Sequence, residues 1–276
     1  GGGMSVAGDQ STKDDLVRVA HLLADAARPE TLRMFRVRGL VADNKSKADE
    51  NFDPVTEADR AAEQVMRDIL DRERPDDGIV GEEFGTKPGT SGLTWVLDPI
   101  DGTRGFISGT PTWGVLISVA DASGPLFGIM DQPYIGERFV GGFGLAEMVG
   151  PHGKMQLATR KNRAFQDATI MTTFPEVGTT VEARAFRRVA EKVKLTRYGM
   201  DCYGYALVAA GQVDLVIEAG LQPYDIHAPI CLIEAAGGVV SNWQGGAAHL
   251  GGRIIAAANR DIHAVALQIL QDVVDG

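Results

Sequence analysis

The stretch from Trp95 to Thr103, with the sequence Trp-Val-Leu-Asp-Pro-Ile-Asp-Gly-Thr, restricts the folds open to this chain more than any other. Its three apolar residues predict a buried strand that stops at Asp98, because Pro99 has no N–H to donate to a sheet ladder. A tight turn is expected after Asp101, since Gly102 can adopt backbone conformations that other residues resist. The pattern therefore predicts two carboxylates at the carboxyl end of one strand, followed by backbone amides that can face an anion.

This combination of groups indicates a site for a metal and a phosphate. Hard divalent cations prefer clustered oxygen ligands, and phosphates bind backbone amides at turns or helix starts. An isolated Asp-x-x-Asp-Gly sequence is also a common surface turn, so the pattern by itself leaves a purely structural role open. The buried strand before it favours the metal site, because carboxylates beside a core need a counter-charge.

Composition limits the classes of function. The 276 residues are 44% hydrophobic and 23% charged, as expected for one large domain or two lobes, and no apolar run has the length of a membrane span. The net charge of −10 argues against a nucleic-acid partner, although bound metal could still attract an anionic substrate. Two cysteines, Cys202 and Cys231, are too few for a disulfide framework and predict a cytoplasmic protein, although a single bridge stays open.

Periodicity predicts two regions with different organisation. Residues 1–10 are interpreted as an expression-tag remnant and a disordered N-terminus, because Gly1 to Gly3 precede Met4. Residues 11–150 are expected to form an α+β lobe with an antiparallel meander, and residues 151–276 an α/β lobe, with the boundary at a Gly-rich segment over 150–153. Expected helices cover 14–27, 30–35, 54–72, 181–193, 203–210, 225–236 and 262–274, and expected strands outside the meander cover 36–42, 79–85, 95–97, 169–173, 195–198, 213–218, 239–241 and 254–258.

Two expectations concern the ends of helices. Pro29 is expected to end the first helix, because proline disrupts a helix interior. Thr56 is expected to be the N-cap of the helix over 54–72, with Asp59 in its first turn, where a carboxylate is favourable.

The segment Asp98-Pro-Ile-Asp-Gly-Thr103 resembles the signature of the inositol monophosphatase superfamily, a group of magnesium-dependent, lithium-sensitive phosphatases. The similarity extends from about residue 16 to about residue 258. It includes Val55-Thr-Glu-Ala-Asp59, Gly81-Glu-Glu83 and Tyr224-Asp-Ile-His-Ala228, in which Tyr224 stands where the family has Trp. The resemblance implies an α/β (α+β) fold, a layered αβαβα sandwich of the inositol monophosphatase and fructose-1,6-bisphosphatase type.

The same resemblance implies a set of metal ligands and catalytic groups. Four converging carboxylates would repel one another strongly without cations, and an all-oxygen set suits Mg²⁺, with Mn²⁺ as a substitute, better than Zn²⁺. Two or three ions are expected, with Asp59 orienting Thr103 so that it positions the attacking water. The implied metal ligands are Glu82, Asp98, the carbonyl of Ile100, Asp101 and Asp225, and the implied catalytic residues are Thr103, Asp59 and Glu82. Lys47, in preference to Lys45, matches the family's loop lysine.

The substrate is predicted from residues outside the metal ligands. Glu218 matches a substrate-contacting glutamate of inositol monophosphatases, and Asp201 is an acid where those enzymes usually carry a small uncharged residue. Two acids suit an ammonium or imidazolium group better than a neutral polyol. Arg104-Gly-Phe-Ile-Ser-Gly109 and Asp131-Gln-Pro133 resemble the histidinol-phosphate phosphatases of the superfamily, so histidinol phosphate is the predicted substrate. The predicted substrate-binding residues are Gly102, Thr103, Arg104, Asp201, Glu218 and Asp225.

Several alternatives stay open. The chain could be a broad inositol-1-monophosphatase, a 3′,5′-bisphosphate nucleotidase, whose family has Lys where Arg104 stands, or a catalytically inactive metal-binding regulator. Asp201 could merely cap the helix that begins near Tyr203, and Glu218 could face solvent. The expected partners are a small-molecule phosphate monoester and, from the resemblance, a second copy of the chain in a homodimer, with neither nucleic acid nor membrane.

Overall fold

The computed structural model describes residues 7–38 and 54–276, in which helices and two β-sheets alternate. The strands are β1 (Gly78–Gly81), β2 (Gly85–Lys87), β3 (Thr94–Asp101), β4 (Gly114–Asp121), β5 (Gly124–Gln132), β6 (Glu137–Gly142), β7 (Leu145–Gly150), β8 (Gly153–Gln156), β9 (Thr169–Thr172), β10 (Leu195–Tyr198), β11 (Leu215–Leu221), β12 (Val239–Asn242) and β13 (Gly252–Ala257). The helices are α1 (Gln10–Leu32), α2 (Pro54–Glu73), α3 (Thr103–Ser108), α4 (Thr180–Ala190), α5 (Tyr203–Ala209), α6 (Pro223–Ala235) and α7 (Arg260–Val274), with a 3₁₀ turn at Phe165–Asp167.

The elements stack in five layers. The first sheet has the order β2-β1-β3-β4-β5-β6-β7-β8 and is antiparallel except between β1 and β3. Successive side chains of a strand point to opposite faces, so Val115 and Ile117 of β4 pack in the core with α1 and α2, and Leu116 packs in the core with α5 and α6. The second sheet, with the order β10-β9-β11-β13-β12, contributes to that central core, and α4 and α7 cover its outer face. The predicted αβαβα sandwich is confirmed.

Two paired glycines allow α6 to pack closely on the first sheet. Gly128 of β5 lies opposite Gly141 of β6. A Cβ at Gly128 would lie 2.9 Å from the Cα of Ala228, and a Cβ at Gly141 would lie 2.5 Å from the carbonyl oxygen of Cys231. A side chain at either position would therefore push the helix away from the sheet, together with Asp225 in its first turn.

Two prolines do not end the elements that they were expected to end. Pro29 lies inside the last turn of α1, where its carbonyl oxygen still accepts a hydrogen bond from the Arg33 N–H at 3.1 Å. Similarly, β3 continues through Pro99 to Asp101. The register between β3 and β4 shifts between Asp98 and Asp101, so the regular ladder is interrupted at the proline.

Other local predictions are also wrong. The helix expected over 30–35 is the end of α1 followed by a turn, and Thr56 lies inside α2 and therefore does not cap it. Arg36 has a left-handed φ of 58°, which interrupts the strand expected over 36–42, and residues 39–42 lie outside the described part of the chain. Strands β7 and β8 were not predicted, and β8 has no apolar face to signal it, because it is exposed along its whole length.

The predicted boundary over 150–153 falls in the turn that joins β7 to β8 of the first sheet. The division of the chain into two lobes stays a prediction. Cys202 and Cys231 are both buried free thiols, so the single bridge that the sequence left open does not form. Within residues 7–38 and 54–276, no helix combines the length and the apolar character needed to cross a bilayer.

Candidate active site

A cleft of about 340 Å³ opens where the carboxyl end of β3 meets the first turn of α6 and the end of β9. Among the described residues that line this cleft, six are carboxylic acids and one is a base. They are Glu82, Asp98, Asp101, Asp201, Glu218, Asp225 and Arg104. Such an excess of negative charge makes the cleft a site for cations rather than for a bare anion.

The end of β3 brings two of these acids together. The strand is anchored by Trp95, whose indole N–H donates to the buried carboxylate of Asp77 at 2.9 Å. Asp98, which is 1% exposed, and Asp101 lie on either side of the register shift between β3 and β4, and both line the cleft. Gly102 has a left-handed φ of 89°, as expected for the predicted turn, and α3 begins immediately after it.

Two groups of carboxylates meet at Asp98. Carboxylate oxygens of Asp59, Glu82 and Asp98 lie within 4.8 Å of one another, and so do those of Asp98, Asp101 and Asp225. The structure thus brings together all four carboxylates predicted as metal ligands, along with Asp59. Because Asp98 belongs to both groups, it is placed where one carboxylate could ligate two neighbouring ions.

The electrostatics of this cluster fit a divalent cation. Burial raises the pKa of Asp98 and of Asp101 well above the usual range, and the neighbouring carboxylates raise these pKa values further. Burial also raises the pKa of Glu82, and the negative charges of Asp225 and Glu63 contribute. The buried Oδ1 of Asp98 has no hydrogen-bond partner among the described residues. Mg²⁺ would neutralise these charges and supply the partner that this oxygen lacks.

Glu63 positions the turn that carries Glu82, a role that was not predicted from the sequence. Its fully buried carboxylate accepts hydrogen bonds from the backbone N–H groups of Glu83 and Phe84, both at 2.9 Å. Glu63 lies four residues after Asp59 on α2, so both side chains project from the same face of that helix. That spacing was the available signal in the sequence.

Asp225 has a structural contact as well as a place in the carboxylate cluster. Its Oδ2 accepts a hydrogen bond from the N–H of Gln222, the N-cap residue of α6, at 2.8 Å, so Asp225 also helps to cap the start of this helix. Burial, together with the charges of Glu82 and Asp225, raises the pKa of the neighbouring Tyr224 to about 12. His227 is buried, and its Nε2 lies 2.8 Å from the carbonyl oxygen of His249, so this imidazole packs between elements of the fold.

Three further residues that were predicted to belong to the site also lie at the cleft. Ile100, Gly102 and Thr103 all line it. Asp59 is 2% exposed and belongs to the first carboxylate group, while its predicted role in orienting Thr103 stays a prediction. Lys45 and Lys47 lie outside the described residues.

Arg104, the one basic residue among the described residues that line the cleft, stacks on an aromatic ring. Its side chain is exposed, and the guanidinium carbon lies 4.6 Å from the centre of the Phe174 ring, which also lines the cleft. The guanidinium therefore lines the same cleft as the carboxylate cluster, where a phosphate ester would bring negative charge.

Glu218 does not face solvent. Its carboxylate accepts hydrogen bonds from the hydroxyl of Thr173 at 2.7 Å and from the phenol of Tyr205 at 2.6 Å. Burial raises the pKa of Glu218, and the charge of Asp201 contributes. Two hydroxyl donors leave further lone pairs of the carboxylate available for a ligand.

Asp201 does not cap the following helix. The N-cap of α5 is Cys202, and that helix end has no side-chain capping hydrogen bond. Instead, Oδ2 of Asp201 accepts a hydrogen bond from the hydroxyl of Thr112 at 3.0 Å. Burial raises the pKa of Asp201 as well, so both acids that lie outside the metal-ligand candidates are held in the cleft as partly desolvated groups.

Comparison with known proteins identifies the family. The family model described as the inositol monophosphatase family matches residues 12–275. The chain belongs to the inositol monophosphatase family. It is 38% identical to the chloroplastic bifunctional phosphatase IMPL2 of Arabidopsis thaliana over 272 residues, which cover 94% of this chain and 75% of that protein. It is 34% identical to the histidinol-phosphatase of Streptomyces coelicolor, over 84% of this chain and 88% of the relative.

Solved structures of inositol monophosphatases share this fold. A structure of an inositol monophosphatase from Zymomonas mobilis matches with a TM-score of 0.84 and 38% sequence identity, covering 94% of this chain and 98% of that one. The family comprises Mg²⁺-dependent phosphatases, and the two carboxylate groups around Asp98 are the groups of this inositol monophosphatase family member that could hold the metal.

Proposed function

We propose that this inositol monophosphatase family member is a Mg²⁺-dependent histidinol-phosphate phosphatase of histidine biosynthesis, which hydrolyses L-histidinol phosphate to L-histidinol and phosphate. The observation that carries this proposal is the pair of partly desolvated acids, Asp201 and Glu218, in the same cleft as the carboxylate cluster. The alcohol part of histidinol phosphate has an amine and an imidazole, which are cationic when protonated. The identity with the histidinol-phosphatase of Streptomyces coelicolor supports the same substrate.

The carboxylate cluster is the proposed metal site. Its ligands would be Glu82, Asp98, the carbonyl of Ile100, Asp101 and Asp225. When bound, the ions supply positive charge that attracts the phosphate, lowers the pKa of the attacking water and stabilises the leaving alkoxide. The described residues that line the cleft include no Ser, Cys or His, so water is the proposed nucleophile.

The turn after β3 would position the water and the phosphate. The Thr103 hydroxyl would accept a hydrogen bond from the attacking water, with Asp59 fixing the hydroxyl orientation and Glu82 completing the catalytic set. The backbone N–H groups of Gly102 and Thr103 would donate to phosphate oxygens. Arg104 would attract the phosphate dianion with a charge that does not titrate near neutral pH.

Asp201 and Glu218 would then select the alcohol. A charge-assisted hydrogen bond contributes about 1.5–3 kcal/mol, and a partly desolvated carboxylate that finds no partner costs a comparable amount. A neutral polyol phosphate cannot supply two cationic partners. The site is therefore expected to discriminate by leaving its own carboxylates unpaired with the wrong substrate.

A broad inositol-1-monophosphatase activity is the second candidate. The observation that favours it is the 38% identity to the inositol monophosphatase from Zymomonas mobilis, which is not lower than the identity to histidinol-phosphatases. The proposed metal ligands and the Thr103 turn would serve either substrate equally, because they act on the phosphate. Only the acids around the alcohol distinguish the two activities.

The proposal is tested with a double variant, Asp201→Asn with Glu218→Gln. These substitutions keep the shape of both side chains and remove their charge. We expect KM for histidinol phosphate to rise, and the ratio of kcat/KM for histidinol phosphate to kcat/KM for glycerol 2-phosphate to fall by at least about tenfold, as loss of one charged contact already predicts. Steady-state phosphate release with Mg²⁺ measures both substrates.

A matched double variant on the surface provides the control. Asp167→Asn with Glu191→Gln removes the same two charges from exposed positions and should leave the ratio unchanged. An equal loss on both substrates in the cleft variant would show that Asp201 and Glu218 are structural. Unchanged kcat/KM for both substrates would favour the inositol-type activity.

A further inference from the structure

A glycine inside α3 is not explained by the helix itself. Gly105 lies at the third position of this six-residue helix and does not have a positive φ. Glycine in a helix interior is less favourable than alanine, because it loses more conformational freedom on folding and has no side chain to pack. By contrast, Gly102 has a left-handed φ that accounts for its residue type. A different constraint must therefore favour glycine at position 105.

The constraint is the space taken by Asp201. A Cβ at Gly105 would lie 2.8 Å from Oδ2 of Asp201, and a Cβ at Gly102 would lie 2.7 Å from Cγ of the same residue. The hydroxyl oxygens of Thr110 and Thr112 would be 2.9 and 3.0 Å from the Cβ at Gly105. These distances are shorter than ordinary van der Waals contacts, so any side chain at position 105 must displace the carboxylate or the two threonines.

The carboxylate of Asp201 also accepts a hydrogen bond from a threonine hydroxyl. Thr112 donates to Oδ2 of Asp201 at 3.0 Å, and the hydroxyls of Thr110 and Thr112 lie 3.2 Å apart. Asp201 also has a φ of 50°, in the left-handed region that is unfavourable for a residue with a side chain. Local strain of this kind persists where the surroundings fix the residue. The contacts with α3 and with Thr112 are the surroundings that do so.

We propose that Gly105 and Thr112 determine substrate specificity by forming a seat for the carboxylate of Asp201. The seat consists of the two glycines, which leave room for the carboxylate, and Thr112, which orients it. The identity of the cationic group that the carboxylate receives rests on the proposed function, but the seat itself does not. Gly105 is thus a specificity-determining residue that need not touch the substrate.

A double-mutant cycle tests the seat. Gly105→Ala is measured alone and in an Asp201→Ala background, where the carboxylate is gone. In the background with Asp201, Gly105→Ala should lower the kcat/KM ratio of histidinol phosphate to glycerol 2-phosphate by at least about fivefold, because a misplaced carboxylate loses its charged contact. In the Asp201→Ala background, the same substitution should change the ratio by less than about twofold.

The same cycle is followed by urea unfolding, which requires no substrate. Gly105→Ala should lower the unfolding midpoint when Asp201 is present and lower it less, or raise it, when Asp201 is replaced. If the single variant does not fold, recovery of folding in the double variant gives the same evidence. Thr112→Val, which keeps the shape and removes the donor, should lower the specificity ratio, and Thr112→Ser should restore it.

Gly204→Ala is the matched control. It adds the same methyl group to α5, where the nearest atom would be 3.6 Å away, and should leave the ratio unchanged. Equal effects of Gly105→Ala in both backgrounds, on the ratio and on unfolding, would overturn the proposal, since the glycine would then serve α3 alone. Wild-type protein that does not hydrolyse histidinol phosphate would contradict the proposed function, while coupling in the unfolding cycle would still support the seat.

Discussion

At the scale of single residues, Asp98 is the side chain shared by both carboxylate groups, and its surroundings suit a cation better than a free charge. We expect Asp98→Asn to abolish Mg²⁺-dependent phosphate release, because both proposed ion positions lose a ligand. In EDTA, the variant should also unfold at a higher temperature than the wild type, because one of the repelling carboxylates is gone. The difference should be about 2–4 °C for each kcal/mol of repulsion that is removed. Differential scanning calorimetry with EDTA or Mg²⁺ measures this.

The two effects of Asp98→Asn have opposite signs, which separates a functional role from simple damage. Asp68→Asn is the control, because Asp68 is exposed on α2 and should change neither activity nor unfolding temperature. Wild-type turnover in Asp98→Asn, or a lower unfolding temperature in EDTA than that of the wild type, would contradict the assigned role.

The residues of the candidate site were predictable where they lie next to one another in the sequence. Asp98, Asp101 and Gly102 occur in one short segment, and the structure places them together in the cleft as expected. Glu63 and Gly105 were not predicted, because their roles depend on partners distant in sequence. A carboxylate that holds a turn on another element has no local pattern beyond helical spacing, and a glycine that makes room for Asp201 looks like any other glycine.

At the scale of elements, the position of α6 depends on the two glycines of the first sheet. We expect Gly141→Ala to destabilise the protein by about 1–3 kcal/mol, because its Cβ would lie 2.5 Å from the backbone of the helix. The substitution should also weaken Mg²⁺ binding, since α6 carries Asp225. Urea unfolding and calorimetric titration with Mg²⁺ measure the two effects.

Gly204→Ala is again the control, with a nearest distance of 3.6 Å and no expected loss. If Gly141→Ala retained both the wild-type unfolding midpoint and the wild-type Mg²⁺ affinity, the close packing of α6 would not position the site.

Helix α1 is held to the first sheet by a buried charge network. Asp131 of β5 is fully buried and accepts hydrogen bonds from Arg28 of α1 at 2.7 Å and from Arg138 of β6 at 2.8 Å. The guanidinium of Arg138 also lies 3.1 Å from Nδ1 of His21 on α1. Because arginine can only donate, this nitrogen must be the acceptor, and the imidazole is therefore neutral.

This contact predicts a pH dependence of stability. Burial, followed by the charge of Arg138, lowers the pKa of His21, although the acids Asp25, Glu147 and Asp131 oppose the shift. A histidine whose pKa is lower in the folded state stabilises the fold above its unfolded pKa of about 6.5, and this stabilisation is lost as the pH falls through the folded pKa. We expect His21→Gln to reduce the loss of unfolding free energy between pH 7.5 and about pH 5.

Urea unfolding at the two pH values measures this difference. Glutamine can still accept a hydrogen bond from Arg138, so the variant largely keeps the contact. It has no imidazole, so protonation at this position no longer contributes to the pH dependence. Identical pH dependence in the wild type and in His21→Gln would show that His21 does not contribute.

The helices and strands were predictable where the spacing of apolar residues is regular. The spacing in α2 and in the strands and helices after residue 169 predicts elements close to the observed ones. The predictions fail at Pro29 and Pro99, where the surrounding structure tolerates a missing donor. They also fail at β8, where pairing with β7 rather than an apolar pattern makes the strand.

At the scale of the whole molecule, the site exists because the layers meet. Asp59 comes from the outer helix α2, and Asp225 comes from the central helix layer. Glu82 lies in the turn after β1, and Asp98 lies in β3 of the first sheet. Local patterns do not specify sheet order or the stacking of layers, because the pairing partners are far apart in the chain. The layered arrangement was expected only from the resemblance to the family, and the family match over residues 12–275 agrees with it.

The central claim is that this layered cleft hydrolyses histidinol phosphate with Mg²⁺. The most direct measurement is steady-state phosphate release by the wild-type protein from histidinol phosphate, inositol 1-phosphate and adenosine 3′,5′-bisphosphate, with Mg²⁺ and after chelation by EDTA. We predict that kcat/KM for histidinol phosphate exceeds the other two by at least about tenfold and that chelation abolishes release. A preference for inositol 1-phosphate or for the nucleotide, or release that persists in EDTA, would contradict the account.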